Sequence, residues 1–563
     1  MQPAVAQYVL FAAAVAILAK PTGLYLLFVF EQKEPWWAFE RWLYRAAGVD
    51  PASEMTWAQY ARAFVYFSLL GTLFVYAVFR LQDHLPFGPA ASALTTPVTA
   101  DLAANTALSF ATTTTWQGYA GETTMRYATQ LLGLASQGFL AGGAGLAVGF
   151  AFLRGFARAE SPTLGNFWVD VTRAVIYVLL PLALLVTPFL IWQGVPMNFS
   201  AYTHLTTLEA GSQTIAQGPV AGLEAIKNLG TNGGGFFNTN GAHPFENPTG
   251  LTNFVELLAI VAVPAGMPYA FGRATGRREA GWSLFAVMAI LFVVGLLLLH
   301  WAEGAANPRL ASLGVVGGNL EGKETRFGVV GSVLGAAVTS NGATGSYVAM
   351  HDSFSPVGVL VILVNLLLGE IAFGGLGTGL YGLVMVAVIA MFVTGLMVGR
   401  TPEYCGKSLG IREMKYVALY TLLVPAVILP LSALAVSLEV GRAGLTTNAG
   451  AHGLAEILFA HASCAANNGM SMAGLSANTP FYNATLMVSM VAGRFGLTIP
   501  ALALAGCLAS RRTRPRSVGA VPSEGGMFVA IVLGTAMLVG ALTYFAVLAL
   551  GPVVEQLALV RAP

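Results

Sequence analysis

The chain has 563 residues, 56% of them hydrophobic and only 10% charged, with a net charge of +2. A soluble protein carries charged residues near a quarter of its composition, so an ordinary water-soluble enzyme is excluded. Basic residues scattered over short loops leave no nucleic-acid footprint, and three dispersed cysteines supply neither a disulfide framework nor metal-site spacing.

In chain order, ten apolar runs reach the roughly 20 residues that cross a bilayer. They cover 4–30, 60–79, 127–152, 173–191, 251–270, 282–299, 356–397, 416–437, 481–507 and 527–550. Met1 to Tyr8 lacks the basic stretch that opens a secretory signal, so the first run is expected to be a retained helix. The seventh run is too long for one straight helix. Gly369, Gly374, Gly375, Gly377 and Gly379 mark a break in its middle, and broken backbone at membrane depth is tolerated only inside protein or along a water-filled cavity.

Basic residues test this layout. Clusters at 33–62, 154–173, 273–278, 400–415 and 511–516 fall on one side and hold eighteen Lys and Arg, including Lys33, Arg400, Lys407 and Arg516. The other side holds eight, among them Lys227 and Lys323. The positive-inside rule predicts that both termini are extracytoplasmic. Splitting the seventh run into two spans would invert every later loop, so it is expected to be one broken span.

Four extracytoplasmic loops share a plan: a short apolar stretch of half-helix length, then a polar turn. The stretches 102–111, 221–229, 327–337 and 452–465 precede Thr112-Thr113-Thr114-Thr115-Trp116-Gln117, Gly230-Thr231-Asn232-Gly233, Thr339-Ser340-Asn341-Gly342-Ala343 and Ala466-Asn467-Asn468-Gly469. The repeat predicts an all-α polytopic membrane protein of four pseudo-repeats, each span, pore half-helix, filter loop and span, with one more span at each end. The expected boundaries are 1–59 (first span and loop), 60–153, 170–272, 281–400 and 415–508 (the four repeats), and 525–563 (last span).

A monovalent cation leaving water needs oxygens in place of its hydration shell, and rings of backbone carbonyls supply them. Glycine, and to a lesser degree Asn, adopts the backbone angles that aim successive carbonyls at one axis. Thr and Ser add neutral hydroxyls, and no carboxylate sits in the four turns. A single Asn-Gly is an ordinary turn; four in register on one side form a candidate filter.

GTNGGGFFNTNGAHPFENPTG (Gly230 to Gly250), AMHDSFSP (Ala349 to Pro356), GRTPEYCGK (Gly399 to Lys407) and NNGMSMAG (Asn467 to Gly474) resemble the potassium-binding A subunit of the bacterial Kdp potassium-transporting ATPase. WQGYAGETTMRY (Trp116 to Tyr127) is similar to that family's first loop, while TTTTWQ and SNGATG stand at its variable first and third filter strands. The resemblance covers essentially the whole chain. It implies that the chain selects potassium from outside a bacterial inner membrane and passes it through an intramembrane tunnel to the catalytic B subunit, a P-type ATPase that hydrolyses the ATP. Small C and F subunits and membrane lipids complete the expected partners. The candidate potassium-binding residues are Thr113, Thr114, Thr115, Gln117, Thr231, Asn232, Gly233, Ser340, Asn341, Gly342, Asn467, Asn468 and Gly469. Gate or ion-path candidates are Gly369, Glu370, Gly374, Gly375, Arg400 and Arg494; of these Glu370 and Arg494 are charges within spans, which usually pair or line water.

The sequence contains no Asp-Lys-Thr-Gly phosphorylation motif, and Cys405-Gly406-Lys407-Ser408 lacks the upstream Gly of a phosphate loop. ATP use is therefore expected from a partner. A self-sufficient four-repeat potassium transporter driven by membrane potential is the alternative. A membrane enzyme or scaffold has no His, Asp or Cys cluster with ligand or nucleophile spacing to support it.

Overall fold

Ten helices among the described residues are long and apolar enough to cross a membrane: Ala4–Phe30, Trp57–Arg80, Tyr127–Ala157, Phe167–Trp192, Gly250–Ala274, Arg278–Gly304, Thr378–Met397, Ile411–Ser437, Pro480–Ala509 and Gly525–Val560. The computed structural model describes residues 3–32, 34–89, 93–305, 307–514 and 521–561; Lys33 and Arg516 of the basic clusters lie outside the described residues. Four shorter helices, Ala100–Ala111, Val220–Leu229, Gly328–Asn341 and Gly450–Ala466, each stand between two spans as the repeat predicts. The long seventh run divides into Pro356–Leu367 and Thr378–Met397 around an irregular segment. Ser355 starts the first piece, its Oγ accepting from Gly358 N at 3.1 Å, with Pro356 at the first helical position.

Lipid tails give helices no hydrophobic reason to associate, so close backbone approach has to supply packing energy. Small residues make that approach. A Cβ on Gly23 of the first span would lie 2.6 Å from the carbonyl oxygen of Gly266. A Cβ on Gly155 would stand 2.6 Å from Ala505 of Pro480–Ala509, and one on Gly149 2.8 Å from Gly377 of the broken segment. The four half-helices are almost wholly buried inside this frame.

Two basic residues expected in extracytoplasmic loops, Lys227 and Lys323, are not the loop charges that the sequence suggests. Lys227 is buried within a half-helix between Glu224 (2.7 Å) and Glu246 (2.8 Å), and Lys323 is buried against Glu303 at 2.8 Å. Their pairing carboxylates are brought to them by the fold, which is why composition misplaces both. On the basic side, Glu403–Tyr404 and Lys407–Ser408 form a hairpin whose turn residues Cys405 and Gly406 have φ of 49° and 77°, the type I′ signature. Lys407 Nζ donates to the carbonyls of Arg158 (2.6 Å) and Arg511 (2.9 Å). Each carbonyl lies just beyond the end of a span, so this lysine caps two helices.

Candidate functional site

Each half-helix runs directly into a three-residue strand: 113–115, 231–233, 343–345 and 467–469. The turn from helix to strand is the same in three of them. Thr114 N donates to Ser109 O, Asn232 N to Lys227 O and Asn468 N to Ser463 O, each at 2.9 Å. The carboxyl end of each half-helix, with its partial negative charge, thus abuts its strand.

The first and third residue of every strand have positive φ: Thr113 60° and Thr115 52°, Thr231 49° and Gly233 84°, Ala343 50° and Gly345 71°, Asn467 58° and Gly469 94°. Alternating left- and right-handed residues return successive peptide planes to one side, which brings neighbouring carbonyls toward a common axis. Five of these eight are not glycine, and each such residue costs about 1–3 kcal/mol unless its surroundings hold it. Strain repeated at the same positions in four strands makes them the candidate site.

The strands close into a ring. A Cβ on Gly233 would overlap the carbonyl oxygen of Thr344, one on Gly345 that of Asn468, and one on Gly469 that of Thr114. The fourth joint is Thr115, whose Oγ1 donates to the carbonyl of Asn232. Each strand's third residue therefore meets the middle carbonyl of the next strand, four times round. Thr114, Asn232, Thr344 and Asn468 supply the four carbonyls of one level.

Apart from Thr115, whose Oγ1 closes the ring, polar side chains on and beside the strands engage supports around it. Gln117 bonds Gly235 N (2.9 Å) and Gly235 O (3.1 Å), so it clamps the first loop to the second instead of joining the ring. Asn232 Nδ2 donates to Gly138 O at 3.0 Å, and Asn467 Nδ2 to Thr114 Oγ1 at 2.9 Å. Asn468 Nδ2 donates to Glu370 Oε1 at 2.5 Å. Behind Gly233, Asn240 Nδ2 donates to its carbonyl at 2.5 Å, while Asn240 Oδ1 accepts from Lys227 Nζ at 2.8 Å. Above the ring opens a mouth of about 540 Å³ lined by Gln117, Tyr119, Asn238, Tyr347 and Ser471. Glu122, near the mouth, accepts from Asn238 N at 2.9 Å, and burial raises its carboxyl pKa.

The broken segment lies under the ring. Gly369, Glu370, Phe373, Gly375 and Gly377 all have positive φ, and Gly375 N donates to Gly342 O at 3.1 Å. A Cβ on Gly374 would lie 2.8 Å from the carbonyl oxygen of Asn341. Leu376 shares a small cavity with Thr113, Thr231, Ala343 and Asn467, the first residues of the four strands, and with Arg494. Arg494 is buried; its two terminal nitrogens donate to Thr113 Oγ1 and Ala141 O, both at 3.0 Å. A fixed positive charge and an apolar side chain thus stand below the ring.

Two expectations are corrected. Ser340 and Asn341 belong to the last turn of Gly328–Asn341, where Asn341 Nδ2 bonds Ala337 O at 2.8 Å and Ser340 Oγ accepts from Asn365 at 2.9 Å; Gly342 is the helix cap. The third strand is Ala343-Thr344-Gly345, because this half-helix runs further than its apolar stretch before the chain turns. Arg400 is exposed beyond Thr378–Met397, a 20-residue helix about 30 Å long, so it is remote from the segment under the ring. Asn240 and the Lys227 network, which hold the Gly233 carbonyl from behind, are not legible in the sequence. Aligning Gly233, Gly345 and Gly469 as third residues would find the third strand; nothing local announces Asn240.

This geometry defines a polytopic membrane protein of four pore-loop repeats. The family model for the potassium-transporting ATPase A subunit, KdpA, matches residues 9–557, and the chain belongs to that family. It is 52% identical over 557 residues to the potassium-transporting ATPase potassium-binding subunit of Methylobacterium nodulans, covering 98% of this chain and 97% of that protein. It is 48% identical over 561 residues to the same-named subunit of Rhodopseudomonas palustris, covering 98% of both. Among solved structures, the potassium transporter TrkH from Vibrio parahaemolyticus shares the fold with a TM-score of 0.52 at 14% identity, over 88% of this chain and 94% of that one.

Proposed function

We propose that this chain is the potassium-selecting subunit of an ATP-driven uptake complex, taking the ion from the extracytoplasmic side of a bacterial inner membrane with both termini outside. The closed ring of Thr114, Asn232, Thr344 and Asn468 carbonyls carries the reading. Neutral oxygens held by strained backbone suit a dehydrated monovalent cation, and no carboxylate belongs to the ring. The relatives named as the potassium-binding subunit of an ATPase support potassium as that ion. On this reading a P-type ATPase, the B subunit, consumes the ATP, and C and F subunits complete the complex.

A cavity of about 120 Å³ supports a lateral exit to that partner. It starts at Glu370, Thr378 and Asn467 beneath the ring and extends to Ala536, Gly540 and Tyr544 of the last span. This route leads sideways through the bundle.

Copurification from the native membrane tests the assignment. A P-type ATPase at equal stoichiometry is expected, and the pure chain alone should hydrolyse no ATP. Potassium uptake into liposomes by the isolated chain, driven by membrane potential alone, would favour a self-sufficient transporter instead.

A further inference from the structure

His452, near the start of Gly450–Ala466, is surrounded by three carboxylates from different parts of the chain. Its Nδ1 lies 2.8 Å from Glu555 Oε1 in the last helix. Its Nε2 lies 3.1 Å from Asp352 Oδ1, which follows the third strand, and 3.6 Å from Glu456 Oε1, one turn further along its own helix. Ligand atoms from Asp352, His452 and Glu456 all fall within 4.8 Å of one another. The Glu456 carboxylate is fully buried. Its Oε1 accepts from Asn448 Nδ2 at 2.8 Å, but its Oε2 has no hydrogen-bond partner among the described residues. A buried carboxylate oxygen with no donor, beside a second carboxylate, leaves an acceptor open to a cation in addition to the His452 ring.

We propose that Asp352, His452 and Glu456 bind a divalent transition-metal cation of the zinc type, with Glu555 orienting the imidazole. Zn²⁺ binds His nitrogen and carboxylate oxygen at about 2.0–2.2 Å, so ligands sharing a tetrahedral ion stand about 3.4 Å apart. The observed separations from Nε2, 3.1 and 3.6 Å, bracket that value. The tautomer fits as well. A metal-ligating His typically donates its other ring N–H to a carboxylate, and Nδ1 faces Glu555 in that arrangement. His and Glu four residues apart share one helix face, and Asp352 comes to them across the fold. A water completes the coordination. The site differs from the ring in kind, since it offers one nitrogen and two carboxylates where the ring offers neutral oxygens. Its ion ties the loop after the third strand to the fourth half-helix, and through Glu555 to the last span.

The test uses the purified complex, stripped with a chelator and titrated with zinc chloride at near-neutral pH against a chromogenic chelator, with elemental analysis after gel filtration. One zinc per chain is expected in the wild type. Asp352→Asn and His452→Gln should each weaken binding at least tenfold, and Glu555→Gln by about 10–100-fold. Cobalt in place of zinc should show the visible bands of a low-symmetry site, lost in His452→Gln. Substoichiometric zinc in the wild type, or equal affinity in wild type and variants, overturns the site and leaves His452 an ion-paired imidazolium. Should His452→Gln fail to assemble, Asp352→Asn decides alone. Its carboxylate is 12% exposed and removable without opening the core, and unchanged zinc affinity there sinks the proposal.

Discussion

Gly233 leaves no room for a side chain against Thr344: an ideal Cβ would overlap the Thr344 carbonyl oxygen, and the backbone holds φ at 84°. Any substitution at Gly233 therefore moves a ring carbonyl, strains its own backbone, or does both. Gly233→Asp adds a charge as well. Its expected effect is a loss of apparent potassium affinity of tenfold or more and a narrower preference over rubidium and sodium. Gly250 is the control, since no atom of the described residues beyond its chain neighbours and its own helix backbone lies within 4 Å of a Cβ built there; Gly250→Ala should leave selectivity unchanged. Potassium-, rubidium- and sodium-stimulated ATPase activity of the complex, at matched expression, measures both. Wild-type selectivity in an assembled Gly233→Asp complex would remove the second strand from the filter.

The carbonyl of Gly233 is also fixed from behind, by Asn240, which Lys227 holds in turn. Asn240→Ala deletes one donor to a buried carbonyl, at a cost of about 1–3 kcal/mol. It should weaken potassium affinity more than it lowers the amount of complex. Lys227→Met should do the reverse. It strands Glu224 and Glu246 without their cation, and breaking such a buried pair costs about 3–5 kcal/mol. The outcome to look for is a drop in recovered, monodisperse complex and in its melting temperature. If Lys227→Met instead yields normal amounts of complex with altered ion affinity alone, the network is not structural.

The contrast between these residues explains what is legible in the sequence. Spans are long-range averages of hydropathy, and all ten are readable, including the broken one, whose glycines announce positive φ. Strands 113–115, 231–233 and 467–469 can be placed because each half-helix ends where its apolar stretch ends. At Gly328–Asn341 the helix continues through Thr339, Ser340 and Asn341, the last two of which bond their side chains back into the fold, so composition misplaces the third strand by three residues. Thr113, Thr115, Thr231 and Ala343 carry no local signal for left-handed backbone. Their conformation is imposed by the ring. Lys227 and Lys323 read as loop charges because their carboxylate partners are brought by tertiary structure. The cluster at His452 escapes for the same reason: Asp352 and Glu555 each lie about a hundred residues away in sequence.

Arg494 is the only arginine whose side chain reaches a ring strand among the hydrogen bonds of the described residues, through Thr113 Oγ1 at 3.0 Å. If the ring is the proposed cation filter, a fixed positive charge beneath it raises the energy of an ion leaving it, and it does so strongly away from bulk water. Arg494→Met should lower that barrier and permit several-fold faster potassium flux through the complex in liposomes without ATP. Arg494→Lys keeps the charge but not the two-pronged contact to Thr113 and Ala141, so its passive flux should stay low while potassium affinity falls. Equal passive flux in wild type and Arg494→Met would make this arginine a packing element only.

Glu370 and Asn468 join the broken segment to the fourth strand by a hydrogen bond of 2.5 Å. Glu370 is buried and has positive φ, so the contact is held by a conformation that resists relaxation. Asn468 contributes a ring carbonyl, and its side chain is fully engaged: Nδ2 reaches Glu370 and Thr339 O, and Oδ1 accepts from Met470 N. Removing the Glu370 carboxylate frees one side of that anchor directly behind a ring residue and also leaves the lateral cavity with fewer polar atoms. Glu370→Gln keeps a carbonyl acceptor for Asn468 but abolishes any negative charge, whereas Glu370→Ala removes both. If the residue anchors the strand, Gln retains near-wild-type potassium affinity and Ala loses about tenfold. If instead its charge helps draw the ion from the ring into the cavity, Gln and Ala both slow turnover at saturating potassium, and affinity changes little. Measuring half-saturating potassium and maximal turnover for the two variants separates the cases, and we expect the first. Comparable affinities for Gln, Ala and wild type, with turnover also unchanged, would disconnect the broken segment from ion passage altogether.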